Sequence, residues 1–341
     1  MEVPSNVRLV LISTMCAVAV ACRPDSGSLS EPENGGPTSA PELAVTSNTW
    51  ISRADLPGDQ SLDYAVAAVP KASGQSIVYV MGGLSETGGK RGRNYAYNVA
   101  TNTWTLKASM PFAVYGTNGA GVINGKIYIS GGVTGKYAAT NALLMYNPAT
   151  NTWTRKRDMP TGGSWGQTGV ISGKLYVLTA CGSGMYDCPG PEGIQFFYRY
   201  DPATDQWSSL PLPPNGAGGQ AQVVGGKWYV VGGKRLDIYN PVTNRWTTGT
   251  PWNSVRSGAA TAALNGKLYM IGGMRLNADG SWTTVAATSV YDPATNTWSL
   301  KAPLPTPRAG LVGTAVTLNG SPRIEVLDDR TASGNHLQYI P

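Results

Sequence analysis

"YDPATNTW", residues 291–298, is a near-copy of a phrase the chain uses elsewhere: "YNPATNTW" stands at 146–153 and "YDPATDQW" at 200–207. The sequence between copies varies freely, so the phrase marks a unit that is built repeatedly. Tryptophans recur at Trp50, Trp104, Trp153, Trp207, Trp246 and Trp298, at intervals of 54, 49, 54, 39 and 52 residues. A period near 50 is the mark of stacked or circular repeats. Tyr97, Tyr146, Tyr200, Tyr239 and Tyr291 each stand seven residues before a tryptophan. A fixed spacing across a Pro- and Asn-bearing turn predicts two strands joined by a hairpin of constant length.

A second string lies upstream in several copies: "NGKIYISGG" ends at Gly132, "GGKWYVVGG" at Gly233 and "NGKLYMIGG" at Gly273. Asn-Gly or Gly-Gly predicts a tight hairpin turn, the alternating aromatic and aliphatic run a strand, and the double glycine a close approach of backbones. Each repeat then holds four strands. Composition agrees, since a chain of 341 residues with 43 Gly, 24 Pro, 17 Tyr and 10 Trp is rich in turn and strand formers.

The double glycine, then Tyr, then Trp resembles the kelch repeat, and the resemblance runs from residue 46 to the end. It implies an all-β chain, a six-bladed kelch β-propeller with four antiparallel strands per blade. The count of six rests on the chain ends. Tyr339-Ile340-Pro341 matches the opening of the repeated phrase and "TSNTW" at 46–50 its close. An N-terminal outer strand therefore completes the last blade, and closure removes the open edges that invite aggregation. On this reading the repeated Tyr and Trp are scaffold. Three copies depart from the pattern: the third has "KLYVLTAC" in place of the double glycine, the fourth only "KRLDI" between Gly233 and Tyr239, and the sixth "SPRIEVLDD".

The first 43 residues have a different character. Leu9 to Ala21 is an apolar run of 13 residues behind Arg8, too short to span a bilayer and suited to the core of a signal peptide. It ends in "AVAC", which resembles the lipobox of bacterial lipoproteins, with Ala19 where leucine is more usual; that resemblance implies cleavage before Cys22 and its lipidation. Ordinary secretion is the alternative. The expected organisation is a signal peptide over 1–21, a Pro, Ser and Gly-rich tether over 22–43 and the propeller over 44–341. The implied location is the bacterial cell envelope, periplasmic or extracellular, with membrane contact through the lipid anchor alone. Cys181 and Cys188, in "CGSGMYDC", are the remaining cysteines and are expected to form a disulfide. A metal site on two thiols without His is the weaker alternative.

The net charge of +6 comes from scattered Lys and Arg, with no recognition helix and no interleaved aromatics, which argues against nucleic acid. One histidine, His336, placed in the loop "RTASGNH", excludes a multi-histidine metal site and disfavours a His-dependent triad. "GGSWG" and "CGSGM" match the esterase G-x-S-x-G only by chance, lacking a strand-to-helix elbow. No cofactor is implied. Residues just before each blade's first strand should line a central channel mouth: Tyr64, Tyr115, Gly163, Gly216, Arg256 and Arg308, with Trp165 beside Gly163. Aromatics stack sugar rings and arginines grip carboxylates, so Tyr64, Tyr115, Trp165, Arg256 and Arg308 are the expected ligand residues. Equally, the two arginines can serve as scaffold by bonding carbonyls of neighbouring blades. Glu86, Asp187, Glu192 and Asp279 are the carboxylates expected in nearby loops.

Three functions are open to such a chain. The first is a monomeric binding module for a glycan or an envelope protein. A second is a carbohydrate enzyme similar to the six-bladed kelch sialic-acid epimerases (mutarotases) that act on an acidic sugar, none of whose catalytic residues transfers to this sequence. The third is a structural subunit of an envelope assembly.

Overall fold

The computed structural model describes residues 47–341 except 58–60, 86–88, 90–91, 118, 135–137, 181–194, 215–218, 233, 253 and 329–335. Cys22, Cys181 and Cys188 and the apolar run 9–21 lie outside the described residues. Among the described residues the regular elements are strands, gathered in six four-stranded antiparallel sheets and two small sheets of two and three strands. From inner to outer strand, the first sheet is Ala65–Pro70, Ser76–Met81, Asn94–Asn98 and Thr103–Leu106, and the second Ala120–Ile123, Lys126–Ser130, Leu143–Asn147 and Thr152–Lys156. The third is Ser164–Ile171, Lys174–Ala180, Gln195–Asp201 and Gln206–Ser209, and the fourth Gln220–Val224, Lys227–Gly232, Arg235–Asn240 and Arg245–Thr248. The fifth is Ala260–Leu264, Lys267–Ile271, Thr288–Asp292 and Thr297–Lys301. The sixth joins both ends of the chain: Leu311–Leu318, Ser321–Asp328 and His336–Ile340, with Thr49–Ser52 as its outer strand.

Local sequence accounts for the hairpins. Asn124-Gly125, Asn265-Gly266, Ser172-Gly173, Gly225-Gly226 and Asn319-Gly320 join the two inner strands of five sheets, and both residues of each pair have positive φ. That is the type I′ turn, whose twist matches that of the strands it joins. At the far end of the second strand, Gly82 has φ +75°, and a Cβ there would stand 2.6 Å from the Val114 carbonyl oxygen. The adjacent Gly83 NH donates to that same carbonyl at 2.8 Å. The double glycine therefore lets one sheet's corner hydrogen-bond to the chain entering the next.

Apolar side chains lie between sheets. Ile77, Tyr79 and Met81 of the first sheet pack on Ile127, Ile129, Leu144 and Tyr146 of the second, and Tyr269 and Ile271 of the fifth on Val326 and Tyr339 of the sixth. A single sheet cannot bury its own faces, so stability comes from neighbours. The innermost strands touch in chain order, and Leu311–Leu318 also touches Ala65–Pro70. This is a β-propeller arrangement.

The repeated phrase makes the outer contacts. Trp50 stands opposite Tyr339, as Tyr97 does opposite Trp104 and Tyr146 opposite Trp153. Each repeat tyrosine donates its hydroxyl to the side-chain oxygen of an Asn or Asp in its own hairpin: Asn102, Asn151, Asp205, Asn244, Asn296 or, across the chain ends, Asn48, at 2.6 to 2.8 Å. All six acceptors sit in the left-handed region, which Asn and Asp tolerate best among residues with a side chain. Five of these oxygens also accept a backbone NH from the linker leaving the preceding sheet: Ala54, Ala108, Arg157, Thr250 and Ala302. The repeat tryptophan indole donates to the carbonyl of that same linker residue at 2.8 to 2.9 Å. One linker residue is thus held by both its NH and its C=O. At the remaining seam Trp246 donates to Pro211, which has no NH to offer Asn244.

Candidate ligand-binding site

The six inner strands surround an axial cavity of about 600 Å³. Small residues and neutral hydrogen-bonding side chains, among them Gln167, Gln220 and Thr314, face it, with Asp63 and Tyr64 at the entry to the first inner strand. Trp165 lines the same cavity with 42% of its surface exposed. It sits in a bulge, where the register between the third sheet's two inner strands shifts between Ser164 and Gln167. Its φ is +49°, a conformation costly for a bulky residue and found where surrounding structure enforces it. Here the Trp165 NH donates to the Gly116 carbonyl at 2.8 Å, and Tyr115, 1% exposed, meets the indole edge-on at 6.0 Å. An exposed aromatic face backed by a buried aromatic edge can stack on a sugar ring.

The structure divides the residues that the sequence grouped. Tyr64 and Trp165 line the axial cavity, and Tyr115 lies beneath Trp165. Arg256 and Arg308 are not among its described lining residues. Arg308 turns to Asp328, 3.5 Å away, and to the Thr306 hydroxyl at 3.1 Å, while its carbonyl accepts the Gly273 NH at 2.7 Å. Asp328 ends the sixth sheet's second strand, where other copies carry the double glycine, so the departure noted in the sequence places a carboxylate against Arg308. Arg256 instead lines a side cavity of about 490 Å³ with Trp252 and Arg275. The Gly163 carbonyl accepts the Gly132 NH at 2.8 Å, and Gly216, Glu86, Asp187 and Glu192 lie outside the described residues. Asp279 is turned inward on its own hairpin, where the Ser281 hydroxyl and NH hold its carboxyl below the usual range.

His336 departs from the sequence reading. It opens the strand His336–Ile340 and is fully buried. Its Nδ1 is 3.0 Å from the Ala54 carbonyl and its Nε2 2.9 Å from Glu325, itself fully buried. Tyr97 and Trp104 of the first sheet cover the ring. The loop reading overlooked the apolar alternation of "HLQYI", which places His336 in the strand that pairs with both Ser321–Asp328 and Thr49–Ser52.

Comparisons with known proteins match this geometry. The family model described as Kelch motif matches residues 117–160 and 256–305. Two stretches of the chain, together less than a third of it, match the kelch motif. Human Kelch-like protein 21 is 30% identical over 113 residues, covering 32% of this chain and 18% of that protein. Kelch-like protein 25 of Xenopus tropicalis is 27% identical over 142 residues, and Kelch-like protein 15 of Danio rerio 28% over 163. These alignments span 36% and 40% of this chain and 23% and 27% of those relatives, so the likeness reaches only a minor part of each curated protein. The solved "Structure of YjhT" superposes with a TM-score of 0.63 at 20% identity, over 83% of this chain and 94% of that one. At that identity the likeness is one of fold, a β-propeller.

Proposed function

We propose that this chain forms a six-bladed propeller, closed by its N-terminal outer strand, that binds a glycan at the mouth of the axial cavity. Exposed Trp165 carries the reading: a strained, solvent-facing indole on a cavity rim, with amide and hydroxyl side chains below it, offers a sugar both a stacking face and hydrogen-bond partners. The single pairing of Thr49–Ser52 with His336–Ile340 supports closure. The protein acts as a monomer in the bacterial envelope, exported by residues 1–21 and anchored through lipid on Cys22, with its partner a glycan or an envelope protein carrying one. Conversion of Cys22 to Ala should then release the protein from the membrane fraction.

The experiment is thermal shift of the full chain against neutral and acidic sugars, beside Trp165→Ala. A ligand at a hundredfold its Kd adds about 2.7 kcal/mol to stability. A shift in the parent that vanishes in Trp165→Ala supports the reading; equal shifts in both, or none with any sugar, sink it. A second reading, anomer exchange on an acidic sugar, is favoured by Asp63 on the cavity wall, whose carboxylate is suited to moving a proton to and from a sugar hydroxyl. Proton exchange spectroscopy of the anomers with and without protein tests it.

A further inference from the structure

We propose a second ligand site, separate from the axial cavity: Arg256 and Arg275, with Trp252 behind them, form a pocket for an oxyanion. Three short strands, Arg256–Ser257, Met274–Leu276 and Trp282–Thr284, make a small sheet beside the fifth blade, and Arg256 stands directly opposite Arg275 in it. Like charges directly opposed across a ladder repel. A fold that keeps them there gains most when an anion lies between them.

The surroundings fit that occupant. Both arginines line one cavity of about 490 Å³ together with Trp252, Ser254 and Asn277. The Arg256 guanidinium rests 5.2 Å from the Trp252 ring centre, which fixes its plane. Its Nη1 reaches the Ala287 carbonyl at 3.4 Å and the Ser289 hydroxyl at 3.3 Å, both long contacts. Its Nε is buried without a hydrogen-bond partner among the described residues, an unmet donor that ordinarily costs free energy. Burial, then the charge of Arg275, lowers the Arg256 pKa to about 10, so the site as it stands strains even an arginine's charge. A carboxylate or sulfate in the cavity would screen the opposed pair and take hydrogen bonds from the guanidinium groups that line it.

The ligand's body has a place as well. Trp252 and Leu300 are shared with an adjoining cavity lined by Pro251 and Trp298, and Leu300 is 67% exposed. An acid carried on a small ring therefore meets cations on one side of Trp252 and an apolar shelf on the other. The same oxyanion chemistry is offered by a free inorganic anion and by a sugar acid.

The test is a titration of the full chain with sodium sulfate, sodium glucuronate and glucose at constant ionic strength, read by melting temperature and calorimetry, in the parent and in Arg275→Gln. Arg275 is exposed, so its replacement should leave the fold intact, and with the repulsion gone the unliganded variant should melt no lower than the parent. A rise in melting temperature with glucuronate, sulfate or both, weakened about tenfold or more in affinity by Arg275→Gln, supports the pocket. Response to glucuronate alone identifies a sugar acid; response to sulfate as well identifies a general oxyanion site. Any glucose response should be unaltered in Arg275→Gln, because it arises at the axial cavity. The proposal is overturned if neither anion stabilises the parent, or if Arg275→Gln responds as the parent does.

Discussion

The backbone NH of Ala108 donates to the side-chain oxygen of Asn151 at 2.9 Å, across the seam between the first and second sheets. The same oxygen accepts the Tyr146 hydroxyl at 2.7 Å, and the Ala108 carbonyl accepts the Trp153 indole at 2.8 Å. Two residues of the phrase "YNPATNTW", Asn151 and Trp153, thus grip one linker residue of the preceding sheet, and Tyr146 holds the Asn151 oxygen. Recurrence of the phrase is recurrence of this clasp.

Asn151→Ala removes both bonds to Oδ1 and leaves a non-glycine residue without a side-chain acceptor at φ +55°. At about 1 kcal/mol per hydrogen bond and a further 1 kcal/mol for the backbone, the expected loss is about 3 kcal/mol. Asn244→Ala should cost about 1 kcal/mol less, because Pro211 supplies no NH there and only the Tyr239 hydroxyl is lost. Denaturant melts of the two variants decide the matter, and equal losses would refute the linker bond's contribution.

Stability should fall on the alkaline side through the same residues. Burial raises the phenols of Tyr97, Tyr239 and Tyr339 from 10.0 to about 12. For an acid with a raised folded pKa, the unfolded chain loses its proton first, so the stabilisation present below pH 10 is lost as pH rises from 10 towards 12. Phenolate absorbance should therefore appear together with loss of β-sheet circular dichroism. On the acid side Asp205 has the opposite sign: the Tyr200 hydroxyl and the Arg157 NH hold its carboxyl below 3.8, so its contribution is present above that value and lost as pH falls further. Because Asp205 is largely solvated, the effect is small, and Asp205→Asn should flatten it.

The periodic parts of this fold were legible in the sequence because they are local. Asn-Gly specifies a type I′ turn by itself, and a Tyr to Trp spacing specifies a hairpin; the match of Tyr339 to Trp50 then showed which strand completes the sixth sheet. Site residues were less legible. Counting back from a hairpin glycine placed Tyr64, Tyr115 and Trp165 near the axial cavity but says nothing of where a long side chain turns, and Arg256 and Arg308 turn elsewhere. Arg275 escaped notice because its partner lies across a ladder made by an inserted sheet, a pairing that no period announces.

The double glycine offers a sharper test of seam packing. A Cβ on Gly272 would stand 2.6 Å from Leu311 Cδ1 and 2.8 Å from the Arg308 carbonyl oxygen, at φ +62°. Gly272→Ala adds a left-handed penalty of about 1–2 kcal/mol to an overpacking cost of about 1–3 kcal/mol. Substitution at Gly266 differs, since its Cβ would meet nothing within 4 Å, and only the backbone penalty applies. Thermal melts should rank Gly272→Ala well below Gly266→Ala; the reverse order would show that the seam relaxes around a methyl group.

A buried pair within the sixth sheet faces its seam with the first. His336 and Glu325 are both fully buried, 2.9 Å apart, and His336 Nδ1 reaches the carbonyl of Ala54, the residue whose NH and C=O are also held by Asn102 and Trp104. Removing one partner strands a polar or charged group away from water, at about 2–5 kcal/mol. Replacing both by apolar residues of similar size still leaves the buried Gln338 amide, which donates to Glu325 at 2.5 Å, without that acceptor, but each single change already breaks the His336–Glu325 bond, so the combined His336→Leu, Glu325→Met variant should be less destabilised than the sum of the single changes. The cycle is measured by denaturant unfolding. A coupling near zero would mean that the pair contributes nothing as a pair, and that the seam is held by the Ala54 clasp and by Tyr97 and Trp104 packed on the histidine ring.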